Sequence, residues 1–229
     1  MSKLSDLLFS LVLAFILTSV TVFALEMTGN NGQFSWLETA AVFTSYSSAY
    51  LAAKESRHYA AIGFVSVIFL CLFFANNNLF ASSVQNLILI PVMALNWYYW
   101  GKDNDSNVKV TSVFKTSTVD NLKLVAYMVS IYTISMIGYY QAFNYLDLPV
   151  TEVQWLDSFI FAGSIVAQIL LTNKKIENWF VWIFVDIVAV FVYAKSGAYV
   201  VAAQFAWFTF NAMYGYIQWR KELTKEVVA

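Results

Sequence analysis

Eight apolar stretches separated by short polar or basic turns run through this chain, at 7–25, 34–53, 59–74, 79–100, 122–140, 155–172, 179–194 and 199–219. Each is close to the length at which an α-helix crosses the hydrocarbon core of a bilayer, about 17 to 25 residues. None alternates apolar and polar positions in the two-residue period of a transmembrane strand. The pattern predicts an all-α integral membrane protein with eight transmembrane helices.

Composition agrees. The chain is 60% hydrophobic and only 12% charged, about half the charge content of an average soluble protein, so it cannot cover itself with polar surface. The distribution of charge then orients it. With the amino terminus placed inside, all Lys and Arg except Lys195 fall on the cytoplasmic side, a strong positive-inside signal that puts both termini there. Lys3, the first apolar run and Val22-Phe23-Ala24 also fit a signal peptide with its cleavage site. The retained helix is the reading adopted here, and its loss would leave seven helices in the same orientation. Net charge of -1 argues against a nucleic-acid partner. Cys71, the one cysteine, lies in an apolar run and reads as a small packed side chain.

Sliding the chain along itself by 119 positions without a gap pairs Trp36-Leu37-Glu38 with Trp155-Leu156-Asp157. The same shift pairs Ser45 with Ser164, Gln85 with Gln204, Trp100 with Trp219 and Lys102 with Lys221. Helix ends coincide throughout. The repeat unit is three helices, and a shift of four crossings leaves the two units parallel in the membrane, as in transporters whose substrate lies between the halves near the midplane. This divides the chain into an additional helix (1–30), a first bundle (34–102), a polar linker and linking helix (103–146), a second bundle (154–221) and a tail (222–229). Pro91, whose repeat partner is Phe210, predicts a bend in the fourth helix.

The seventh stretch carries the densest chemistry. Trp179, Trp182, Asp186 and Tyr193 are spaced by three, four and seven residues and share one helical face. A carboxylate at mid-membrane depth costs on the order of 3 kcal/mol on insertion scales, so Asp186 should face a polar interior and a partner. A second stripe joins Asp157, Phe161, Ser164 and Gln168 on the sixth stretch. Gln85 and Asn86 in the fourth, Gln204 and Asn211 in the eighth, and Asn178 at the start of the seventh complete the candidate set. Hydroxyls and amides of this kind can line a polar cavity, or bond helix to helix.

Asn178-Trp179 with Trp182 and Asp186 forms a W-x-x-W-x-x-x-(N/D) pattern, followed by Tyr193, Gly197 and Tyr199, then Tyr214-Gly215 and Trp219. In the first half, Tyr50-Leu51-Ala52-Ala53-Lys54 and Trp97 with Trp100-Gly101 fit alongside. Over roughly 35–223 the chain resembles the PnuC-type vitamin transporters, and its three-plus-one-plus-three helix order is similar to that of SWEET sugar transporters. The resemblance implies facilitated uptake of nicotinamide riboside across the bacterial inner membrane, trapped afterwards by cytoplasmic phosphorylation. It also implies a homotrimer and no cofactor. Sister groups import thiamine and other vitamins, and some relatives carry Asn where this chain has Asp186.

Other classes fit poorly. The sequence holds no His-Glu-x-x-His zinc pattern, glycine-rich phosphate loop or serine elbow. Lone His58 beside Arg57 makes no metal site. Lys195 ends its helix instead of lying midway, unlike a retinal-bearing lysine. A sugar facilitator would share the architecture without needing Asp186 or the paired indoles.

Overall fold

The computed structural model describes residues 3–27, 35–77, 79–105, 113–147 and 150–228. Among them are eight helices: α1 (Lys3–Met27), α2 (Trp36–Ala53), α3 (His58–Asn76), α4 (Phe80–Asp105), α5 (Thr118–Tyr145), α6 (Glu152–Thr172), α7 (Asn178–Lys195) and α8 (Tyr199–Val228). Each covers one of the apolar stretches, and most run past it, because backbone hydrogen bonding continues where the side chains turn polar. The start of α5 lies before its apolar run because Ser117 and Asp120 cap each other's backbone N–H groups. The chain stays helical through Pro91, on an exposed face of α4. Part of the predicted linker, residues 106–112, and the start of the second stretch at Phe34 lie outside the described residues.

Six helices are long and apolar enough by themselves to cross a membrane: α1, α3, α4, α5, α6 and α7. The other two differ for a physical reason. A helix surrounded by other helices needs no apolar surface all round, and α2, with Thr44, Ser45, Ser47 and Ser48, packs against α1, α3 and α8. Going from neighbour to neighbour, the contacts run α2, α3, α4, α6, α7, α8 and back to α2, which closes a ring of six. Outside the ring, α1 leans on α2 and α8, and α5 leans mainly on α6. Leu122, Val125, Ile134 and Ile137 of α5 face outward.

The repeat reappears in the turns. Glu55 and Lys174, 119 residues apart, both take the left-handed backbone conformation, with φ of 53° and 51°. Around them the same hydrogen bonds recur: Ser56 N–H donates to Leu51 C=O as Lys175 N–H does to Leu170 C=O, and Lys54 to Tyr50 as Asn173 to Ile169. At the other end, Leu79 N–H donates to Phe74 C=O and Ala198 N–H to Tyr193 C=O. Two equivalent segments thus make the same turns at both ends.

Between α4 and α5 the chain is strapped to the second of these turns. Phe114 N–H donates to Lys174 C=O at 3.0 Å and Ile176 N–H donates to Phe114 C=O at 2.9 Å.

Trp179 of α7 lies against the bare backbone of Gly215 in α8, where an added Cβ would come within 2.6 Å of the indole. Gly215→Ala should therefore cost about 1–3 kcal/mol, the usual penalty of overpacking. Gly138→Ala on α5, with nothing within 4 Å, should not lower stability. Thermal unfolding of the two purified variants beside wild type tests both.

Candidate functional site

All six ring helices face one cavity of about 160 Å³, far above the roughly 10–15 Å³ that holds a single water. Neither α1 nor α5 reaches it. Eight of the predicted residues lie on its wall: Trp179, Trp182 and Asp186 from α7, Gln85 and Asn86 from α4, Ser164 and Gln168 from α6, and Asn211 from α8. The helical spacing of three and four on α7 is what brings both indoles and the carboxylate to one side.

Two predicted residues do not reach the wall. Asn178, the first residue of α7, is fully buried, and its Nδ2 donates back to Lys175 C=O in the preceding turn at 2.7 Å. Its amide closes the turn, a use that Asn side chains commonly have. Gln204 is also fully buried but lies off the cavity, and neither of its amide atoms has a protein partner. The stripes also divide with depth. Tyr193 and Asp157 leave the cavity for a separate cluster nearer the far end, where Ser82 and Tyr139 donate to the Asp157 carboxylate and Tyr193 OH lies 3.1 Å from Ser82 Oγ.

Sequence reasoning missed part of the wall. Ser45, Ser48 and Ser66 add hydroxyls, Tyr59 and Met93 add bulk, and Phe205 and Phe208 close one side. The repeat held a signal for several of them. Shifted by 119, lining position Gly63 becomes Trp182, Val67 becomes Asp186, Ala49 becomes Gln168, and Asn86 becomes Phe205. A repeated scaffold therefore carries unlike side chains at matching points, which gives the cavity two chemically different sides.

The wall's polar groups are only partly occupied by the protein. Asn211 Nδ2 donates to Ala49 C=O at 3.0 Å, Asn86 Nδ2 to Ser82 C=O at 2.8 Å, and Ser45 and Ser66 share a hydrogen bond of 2.5 Å. By contrast, Asp186 Oδ1, Gln85 Oε1 and Trp179 Nε1 are buried with no protein partner. Asp186 is 1% exposed. Buried polar atoms are normally bonded, so atoms left over on a cavity wall are where a ligand or its waters would bind.

Aromatic layers bound the cavity toward both ends. At the end bearing the Lys54 and Lys174 turns, Trp179 meets Trp219 edge-on at 5.2 Å and Tyr59 packs on Trp100 at 4.5 Å. Lys54 adds a bridge there, its Nζ 5.2 Å from the Tyr214 ring. Its hydrogen bond with Tyr214 holds the ammonium's pKa above the ordinary value. At the other end Phe205, on the wall, packs on Tyr193, which stacks on Phe74 at 5.2 Å.

Residues 35–221 match the nicotinamide mononucleotide transporter family. The chain belongs to that family. Among its relatives is the nicotinamide riboside transporter PnuC of Escherichia coli, 23% identical over 204 residues, covering 81% of this chain and 85% of that one. The Neisseria mucosa protein of the same name is 24% identical over 198 residues, covering 82% and 73%. A riboflavin/roseoflavin transporter, RibM, of Streptomyces davaonensis is 27% identical over 144 residues, covering 57% and 65%. The fold matches a crystal structure of the vitamin B3 transporter PnuC, with a TM-score of 0.72 over 95% of this chain and 92% of that one, at 21% identity. These relatives are transporters and not enzymes, as the sequence led us to expect.

Asn178→Ala and Gln85→Ala should separate the two kinds of amide. The first should lower stability by about 1 kcal/mol through its lost turn bond and leave ligand affinity unchanged. Replacing Gln85 should weaken ligand binding several-fold at little cost in stability. Melting temperature and a titration on the same preparations read both.

Proposed function

We propose that the chain moves nicotinamide riboside across a bacterial cytoplasmic membrane by facilitated diffusion, with the cavity as its binding site. One observation carries the reading: among the described residues, the only formally charged side chain on the cavity wall is the Asp186 carboxylate, set on the same helix face as two indoles. The riboside carries a fixed pyridinium charge, a carboxamide and ribose hydroxyls. An indole face attracts such a cation by about 0.5–2 kcal/mol. The free Asp186 oxygen opposes the charge, and Gln85, Gln168, Ser45 and Ser164 suit the carboxamide and hydroxyls.

The same wall argues against the mononucleotide. Its phosphate would enter a cavity with a carboxylate and no lysine, arginine or histidine among the lining residues, and a buried anion without a cation is costly. A flavin is a wide neutral ring system that makes no use of Asp186. Thiamine, also a cation, satisfies the charge argument and is the reading to compare.

In this proposal the ring comprises two parallel three-helix units, α2–α4 and α6–α8, linked by α5, and the two ends open alternately. The recurring turns support the two units, and the crowding of Lys and Arg at one end supports a cytoplasmic placement of both termini. Cytoplasmic phosphorylation of the riboside would then drain the imported pool. The outward apolar face of α5 suits lipid or a second copy within a homotrimer.

Adding the riboside to purified protein should quench tryptophan fluorescence, with nicotinamide mononucleotide and glucose giving no response at the same concentrations. Trp182→Ala should remove most of the quench. Asp186→Asn should lose about 1–3 kcal/mol of binding, roughly 5- to 150-fold in Kd. Tighter binding of thiamine than of the riboside would overturn the substrate assignment. Unchanged affinity in both variants would overturn the site.

A further inference from the structure

Glu38 and Asp157 occupy the same place in the two repeats, and both are buried carboxylates, 7% and 0% exposed. Each reaches an equivalent backbone group. Asp157 Oδ2 accepts from Ser82 N–H at 3.3 Å, and the Glu38 carboxylate lies against the Val201 backbone. Ser82 and Val201 are themselves 119 residues apart, and each is the third residue of its helix, α4 and α8.

At that position the backbone N–H has no acceptor within its own helix, and the end of the helix carries partial positive charge. The carboxylate that fills the gap always comes from the other unit. Asp157 stands on α6 and caps α4, while Glu38 stands on α2 and faces the start of α8. Between the two caps, repeat partners Phe74 and Tyr193 stack on each other with their rings 20° from parallel. Tyr193 continues to Phe205 on the cavity wall.

We propose that Glu38 and Asp157 are a crosswise pair of latches that hold the two units together at this end and form, with the Phe74–Tyr193 stack, the gate between the cavity and one face of the membrane. The inference rests on the two-unit transporter reading above. Opening this end separates α4 from α6 and α2 from α8, and both carboxylates leave their helix termini together. Closing returns two carboxyl groups to two positive helix ends, which favours one register of the units over any slipped one. The latches differ in strength. Asp157 also accepts from Ser82 Oγ and from Tyr139 of α5, whereas one Glu38 oxygen has no protein partner. The Glu38 side should part first.

Two measurements in membrane vesicles test this, with Cys71→Ser as the background and riboside uptake by that background as the check on the transport reading itself. In the first, a cysteine at cavity position 164 is labelled by a membrane-impermeant thiol reagent from the face nearest Asp157. Glu38→Gln and Asp157→Asn should each speed labelling at least threefold, and the pair more than either. In the second, Ser82→Cys with Asp157→Cys is joined by a short bifunctional thiosulfonate. Linking should abolish uptake and reductant should restore it. Full uptake while linked would make this end a fixed fulcrum and overturn the gate. Should the unlinked pair carry nothing, labelling decides alone, and rates equal to background overturn the proposal. Failure of background uptake, with the labelling shifts present, would instead count against the substrate reading.

Discussion

Inside a bilayer a polar group has no water to fall back on, and everything distinctive in this molecule follows from where such groups can go. The six ring helices turn many of their serines, amides and carboxylates toward one another, while side chains such as Leu72, Leu87, Ile88, Phe180 and Phe184 face outward. Most of the buried polar atoms are bonded within the protein. The exceptions on the cavity wall, above all Asp186 Oδ1, are tolerable only because the space in front of them can hold something that bonds in return.

Duplication supplies the frame and substitution supplies the chemistry. Equivalent segments make equivalent turns, down to the left-handed residues at 55 and 174. A symmetric pair of walls would suit a symmetric ligand. Trading Gly63 for Trp182 and Val67 for Asp186 across the repeat sets a wall of hydroxyls and amides, with Gly63 among them, against one that carries the indoles and the carboxylate.

Much of this was legible in the sequence, and the reason it stopped where it did is geometric. Apolar length located all eight helices, with starts within four residues, although α4 and α5 run five and α8 nine residues past their apolar stretches, and the three-four spacing on α7 put Trp179, Trp182 and Asp186 on one cavity wall. Periodicity gives a face but neither depth nor neighbour. Tyr193 shares the face of Asp186 yet lies two turns farther along, in another cluster. Asn178 reads as an intramembrane amide until the turn it closes is seen, and Gln204 looks like its repeat partner Gln85 although only Gln85 reaches the cavity. Ser45 entered the sequence reading only as the repeat partner of Ser164, and the closed ring shows that it and Ser48 line the hollow while Ser47 turns to Ser10 of α1.

The strap at Phe114 bears on how the chain is mechanically partitioned. Pairing with the α6–α7 turn, and a packing surface mainly on α6, tie α5 to the α6–α8 side of the ring. In the proposed alternating opening, α5 therefore travels with α6–α8. Under that motion the strap at Phe114 would stay closed, and α1, which leans mainly on α2, would travel with α2–α4.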